Sequence, residues 1–376
     1  MKTGLYIHVP FCKCRCIYCD FYSTTCGEDV RRKYVDALLA ELAARQDECS
    51  GGEIATIYLG GGTPSQLTGD EIRRIFDCIR DNYAVADDAE ITFEANPDDV
   101  TDAYVGILRD AGVNRVSLGL QTFDDTLLRF LHRRHTAEQA RSAVGRLHDG
   151  GIGNISIDLI YGLPNQTAAQ WSNDLREALR LPVRHLSAYT LMYEPGTRIT
   201  RMRDRHEFDE ADDEIIAGMF DDLVHRTEDA GFEHYEISNF AQSGYRSRHN
   251  SSYWNGTPYI GCGPGAHSFD GYATRRSNDA NLSAYCSAPG QVPYSMEHLS
   301  DAERYDEMVF TALRTKEGLS LQALESRFGT GAKAELTAAA APHIAARRLQ
   351  LTGHKMSLTK EGILVSDMVM SDLMRG

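Results

Sequence analysis

The chain has 376 residues, 42% hydrophobic and 25% charged, with a formal net charge of −15. That is enough apolar material for one large domain and a smaller one without disulfide staples. The acidic balance excludes broad electrostatic binding to nucleic acid or to an anionic membrane surface. No apolar run reaches the ~18 residues of a membrane span, and the short, interrupted apolar start does not read as a signal peptide.

Residues 5–9 read as a buried strand and 30–44 as a helix, with Tyr34, Ala37, Leu38 and Leu42 at helical spacing. The next strand, 54–59, ends in Gly60-Gly61-Gly62. A helix over 68–79 opens on Thr68 with Glu71 three residues on, a capping box. Strand 91–95 leads through Asn96-Pro97-Asp98 to a helix ending near Ala111, and strands follow at 115–118, 155–161 and 185–190. Strands alternating with helices imply a parallel sheet with right-handed crossovers. Six such units predict an α/β fold, a partial (β/α)6 barrel. In such folds functional groups gather at the C-terminal strand ends. A cysteine loop, the glycine turn, Glu94, Gln121 and Asp158 all fall there.

This core occupies 1–245. Residues 246–300 read as loop-rich, with Gly256, Gly261, Gly263, Gly265 and Gly271. A small C-terminal domain, 301–376, follows. Its helix from Asp301, its short helix capped by Ser320 and reaching Phe328, and its β-ribbon from 349–352 and 356–365 resemble a winged helix. Ten Lys/Arg against ten Asp/Glu in 301–376 give a DNA-binding wing little support. A packing or partner-docking lobe is the expectation.

Four of the nine cysteines, Cys12, Cys14, Cys16 and Cys19, lie within eight residues. A disulfide framework would be spread more evenly, and the expected location is the cytoplasm, where thiols stay reduced. Cys12, Cys16 and Cys19 form a CxxxCxxC loop directly after the first strand. Three thiolates hold three irons of a [4Fe–4S] cubane. The fourth iron is left for the amino and carboxylate groups of S-adenosylmethionine (SAM), whose cleavage yields a radical. A four-cysteine zinc site using Cys14 would draw pairs from separate knuckles, and no second pair is present. Cys14 reads as a bystander. Arg129, Arg133 and Arg134 are placed to meet a carboxylate-bearing ligand.

Several segments carry a family likeness: Tyr6-Ile-His-Val-Pro-Phe-Cys12, Cys19-Asp20-Phe21, Gly60-Gly61-Gly62-Thr63-Pro64-Ser65, Phe93-Glu94-Ala95-Asn96-Pro97, Ser117-Leu-Gly-Leu-Gln121-Thr-Phe123 and Asp158-Leu-Ile-Tyr-Gly162-Leu163-Pro164. Together they resemble the radical-SAM family of oxygen-independent coproporphyrinogen III oxidase and its relatives. Three features are similar to its heme-chaperone branch. Phe21 stands where the oxidase has a further cysteine. The first strand begins at once, where the oxidase carries a long N-terminal extension. An HNxxYW motif is present as His249-Asn250-Ser251-Ser252-Tyr253-Trp254.

The resemblance implies that Tyr6, Gly61 and Glu94 contact the cluster-bound SAM. It matches Tyr18, Gly62, Thr63, Gln121, Arg133 and Asp158 to a second SAM site of the oxidase. The residue types agree: glycines let backbone approach a ligand closely, Glu94 suits an ammonium, Asp158 suits hydroxyls or an amine, and Arg133 suits a carboxylate. The plain alternatives are a tight turn for the glycines and helix caps for the two acids. Also implied are heme, a heme-acceptor protein, an electron donor such as a flavodoxin or ferredoxin, and membrane association only through the acceptor. His249 is the candidate axial ligand to heme iron, with Tyr253 and Trp254 stacking on the porphyrin; Cys262 and His267 are weaker candidates. The alternative is a satisfied histidine beside aromatics that fill an interdomain core. The alternative function is coproporphyrinogen oxidation or another radical reaction on a tetrapyrrole.

Overall fold

The computed structural model describes residues 2–49 and 51–375. Six strands, β1 (Lys2–Val9), β2 (Glu53–Gly61), β3 (Val85–Ala95), β4 (Arg115–Gln121), β5 (Asn154–Tyr161) and β6 (His185–Thr190), lie parallel in chain order. The crossovers carry α1 (Glu28–Ala44), α2 (Gly69–Asn82), α3 (Asp102–Asp110), α4 (Asp125–Phe130), α5 (Ala137–Asp149) and α6 (Ala168–Ala178). Chain order with right-handed crossovers puts the helices on one face, so the sheet curls around the other. β1 and β6 do not pair with each other. The barrel is therefore partial, as the six-unit pattern predicts. The Thr68–Glu71 capping box forms at the start of α2.

Each barrel strand has two different faces. Leu5, Ile7, Val9, Leu59, Phe93, Val116, Leu118, Ile155, Ile157 and Leu159 are fully buried and pack with Leu38, Ile72, Val144 and Leu175 of the helices in one core. Alternate positions point the other way. They are Tyr6 and His8, Tyr58, Thr92 and Glu94, Arg115 and Ser117, Asp158, and Ser187 and Tyr189. The barrel interior is thus lined with polar groups, and the register places Glu94 beside Ser117 and Asp158 beside both Gly119 and Ser187.

Beyond β6 come α7 (Arg198–Asp204), α8 (Asp213–Asp229) and the hairpin β7 (Phe232–Glu236) and β8 (Asn239–Gln242), which joins β6 antiparallel. The stretch expected to be loop-rich instead extends the sheet on the β1 side. It holds α9 (Arg248–Asn255), β9 (Tyr259–Cys262), β10 (His267–Phe269), β11 (Thr274–Asn278), α10 (Leu282–Ser287) and β12 (Tyr294–His298). Its strands are three to five residues long and separated by glycine turns, too short for a period-two pattern to stand out.

The C-terminal domain comprises α11 (Asp301–Leu313), β13 (Leu319–Ser320), α12 (Leu321–Ala345), β14 (Leu349–Thr352), β15 (Lys355–Leu358), α13 (Lys360–Ile363) and α14 (Ser366–Leu373) around its own core. Ser320 caps α12, whose first segment breaks at Gly329 (φ 90°, ψ 169°). The segment from there to Ala345 has no counterpart in the sequence reading, because its run of alanines hides the apolar stripe. The second ribbon strand ends at Leu358 and not at 365, since Thr359 caps α13. Three short strands, β13, β15 and β14, flank the helices in winged-helix order. Among the described residues no helix is long and apolar enough to cross a membrane.

Candidate functional site

A cavity of about 450 Å³ opens at the C-terminal ends of the barrel strands. The loop after β1 forms one wall. It is pinned by Cys12 N–H to Thr24 O (3.0 Å) and Thr24 N–H to Pro10 O (2.7 Å). Ile17 anchors its middle among Leu127, Leu131, Ile160, Leu163 and Ile199. All four cysteines reach the cavity wall, but Cys12, Cys16 and Cys19 are half-buried there whereas Cys14 is exposed. The Thr63 hydroxyl donates to Cys12 Sγ (3.3 Å) and Arg133 Nη1–H to Cys16 Sγ (3.3 Å). Burial pushes the Cys12 thiol up and the Cys19 thiol to about 11. The Cys12 and Cys19 sulfurs thus favour the neutral form until a metal supplies compensating charge. Among the described residues they do not yet converge as a metal-coordinating set. The donor set still suits a cluster: three thiols on one loop, with hydrogen bonds directed at two of the sulfurs.

The glycine turn forms the adjoining wall. Gly61 has φ +104°, and a Cβ there would strike the His8 ring. At Gly62 a Cβ would lie 2.8 Å from Val9 O and 2.9 Å from Phe11 N. Close backbone approach to the cysteine loop therefore requires these glycines; they are more than a turn. We expect Gly62→Ala to cost about 1–3 kcal/mol, the usual cost of forced overpacking, read as a lower denaturant midpoint.

Glu94 accepts from Tyr58 Oη–H (2.6 Å) and Gly61 N–H (3.2 Å), and caps no helix. Burial pushes its carboxyl up to about 7, against the pull of those two donors. Asp158 accepts from Ser117 Oγ–H (3.3 Å) and is raised to about 6, again chiefly by burial. Arg133 donates to Asn96 Oδ1 (2.7 Å) and Gly119 O (2.5 Å) as well as to Cys16. Gln121 is held at φ 72° on the cavity wall, a conformation that non-glycine residues seldom adopt and that clusters at functional sites.

Tyr18, Gly61, Gly62, Thr63, Glu94, Gln121, Arg133 and Asp158 all line this one cavity with the three cysteines. Tyr6 does not. It lies against His8, Tyr58 and His249, with its hydroxyl 3.1 Å from His8 Nδ1. Arg134 reaches the cavity but is tied to Asp98 (2.7 Å) and Asp99 (3.3 Å). Arg129 points to Thr126 on its own helix. His249 is 0% exposed and off the cavity wall; its Nδ1 meets Thr56 Oγ1 (2.8 Å) and its Nε2 meets Tyr253 Oη (2.9 Å). Glu90 caps α9 by accepting from Arg248 and His249 N–H (3.0 Å each), and Trp254 packs under Arg314 of α11's C-cap. The HNxxYW segment thus joins the barrel floor to the C-terminal domain, and only Asn250 of it touches the cavity. Cys262 is buried behind Arg45, and His267 bonds Ser277; neither reaches the cavity.

Sequence reasoning missed Tyr58, Arg115, Ser117, Ser187 and Tyr189, which also line the cavity. Arg115 is 1% exposed, and its Nε and Nη1 have no partner among the described residues. The available signal was position: each lies an even number of residues from an inward-facing polar group on its strand, or pairs with one across the sheet.

An open parallel barrel with three cysteines on the loop after its first strand defines a radical-SAM protein. Consistently, residues 6–178 match the Radical SAM superfamily, and 299–365 match the HemN C-terminal domain. Over its whole length the fold is similar to coproporphyrinogen III oxidase of Escherichia coli, a radical SAM enzyme, with a TM-score of 0.84, 22% identity and coverage of 99% of this chain and 90% of that one. The chain is 34% identical to heme chaperone HemW of Mycobacterium tuberculosis over 99% of its own length and 94% of the relative's. It is 39% identical to heme chaperone HemW of Escherichia coli K12 over 70% and 69%. The chain belongs to the heme chaperone HemW family. Its radical-SAM fold implies a [4Fe–4S] cluster and SAM.

Proposed function

We propose that the chain is a cytoplasmic heme chaperone, which binds heme and passes it to an acceptor protein. Cys12, Cys16 and Cys19 hold the cluster, and Cys14 does not. Glu94 accepts from the N–H of the SAM amino group, and the glycine backbone at Gly61 and Gly62 lies against the methionyl chain. Thr63 and Arg133 steady the sulfur charge through their hydrogen bonds to Cys12 and Cys16. Gln121, Asp158 and Tyr18 complete the cavity wall around bound SAM. When bound, the cluster supplies an electron to the sulfonium, with a flavodoxin or ferredoxin as its source. The residues themselves orient the cofactor and keep water away.

The observation that carries the cofactor reading is the convergence of the three cysteines, Glu94, Asp158 and the glycine turn on a single cavity. The heme assignment is supported by the family. Heme titration of anaerobically reconstituted protein, followed by transfer to an apo heme protein, tests it. A saturable one-to-one complex that loses heme to the acceptor is expected. Failure to bind heme would refute it.

A further inference from the structure

Three observations bear on where heme would sit. A cavity of about 450 Å³ accommodates roughly one drug-sized ligand. The cluster and SAM proposed above would occupy it, which leaves a porphyrin the mouth. The mouth carries Phe21 at 63%, Met192 at 64% and Tyr189 at 42% exposure, all on the wall of the same cavity. Large apolar side chains gathered and left uncovered mark a binding surface, and a flat apolar ring is the shape they would cover. Arg15, exposed on the cysteine loop beside them, suits a propionate.

The third observation concerns His132, which alone among the described histidines lines this cavity. Neither of its ring nitrogens has a hydrogen-bond partner among the described residues. Its backbone sits at φ 59°, a left-handed conformation that costs energy in any residue with a Cβ. The turn that holds it is rigid: Leu131, His132 and Arg133 N–H donate to Leu127 (2.9 Å), Arg129 (3.1 Å) and Leu128 (2.9 Å) carbonyls. His249, by contrast, has both nitrogens engaged inside the protein.

We propose that His132 is the axial ligand to heme iron, with the porphyrin lying across the cavity mouth against Phe21 and Met192; this rests on the heme-chaperone reading above. The test is heme titration of reconstituted full-length wild type, His132→Gly and His249→Ala, read by Soret absorbance and electron paramagnetic resonance. Glycine adopts φ 59° without strain, so His132→Gly should fold at least as well as wild type. It is expected to lose the imidazole-ligated spectrum and to bind heme at least tenfold more weakly, with added imidazole restoring the spectrum. His249→Ala should melt lower yet keep the wild-type heme spectrum. Unchanged spectrum and affinity in His132→Gly, or loss of the imidazole signature in His249→Ala alone, would overturn the assignment. Wild type that binds no heme would instead remove the chaperone reading on which it rests.

Discussion

Serine at Cys12, Cys16 or Cys19 is expected to leave the anaerobically reconstituted protein with less than a tenth of the wild-type iron and acid-labile sulfide, while Cys14→Ser keeps the full complement. The difference follows from placement. Cys12, Cys16 and Cys19 are half-buried on the cavity wall, and two of their sulfurs already accept hydrogen bonds from Thr63 and Arg133. Cys14 also reaches the cavity wall but is exposed, and its thiol only touches the Arg15 carbonyl at 3.9 Å. Burial holds the Cys12 and Cys19 thiols in their neutral form. Assembly therefore releases protons, and iron uptake should slow as pH falls. Iron and sulfide analysis of the four variants checks this directly. Loss of the cluster in Cys14→Ser with retention in Cys16→Ser would reverse the ligand assignment.

Glu94→Gln is expected to weaken SAM binding by about tenfold or more, as a hydrogen bond to a charged acceptor is worth about 1.5–3 kcal/mol. The wild type adds a pH signature. Without bound SAM, Glu94 titrates near 7 because burial disfavours its charge. The iron-bound SAM amino group donates best to the ionised carboxylate, so affinity should be level above pH 7 and fall below it. Stability of the SAM-free protein runs the other way. A carboxyl raised above its unfolded value binds its proton more tightly when folded. The destabilisation from burying it ionised is absent below pH ~4.5 and grows until pH passes 7. Asp158, raised to about 6, adds to the same slope. Calorimetry of wild type and Glu94→Gln from pH 5.5 to 8.5 measures the first effect. A pH-independent affinity in wild type would contradict the role given to Glu94.

The core of this site was legible in the sequence because its signals are local. CxxxCxxC, the glycine triplet and the Glu94 and Asp158 strand ends each announce themselves within a few residues, and the barrel follows from strand–helix alternation. What stayed hidden depends on the curl of the sheet. Read as apolar runs, the strands conceal that Tyr58, Arg115, Ser117 and Ser187 share the inner face with Glu94. His249 drew attention through its neighbours Tyr253 and Trp254. Its side chain is nevertheless used up by Thr56, which is 193 residues away. His132 lies in an unremarkable helix-end sequence, and only the turn geometry sets it on the cavity wall. The short strands β9–β12 were masked by the same glycines that let them turn.

The central reading is a radical-SAM fold used for heme delivery. It meets its most direct test in one reconstituted, SAM-loaded sample divided between heme and coproporphyrinogen III under anaerobic reducing conditions. Expected is a stable heme complex that yields heme to an apo acceptor, with no protoporphyrinogen formed. Protoporphyrinogen accumulation without heme binding would contradict it.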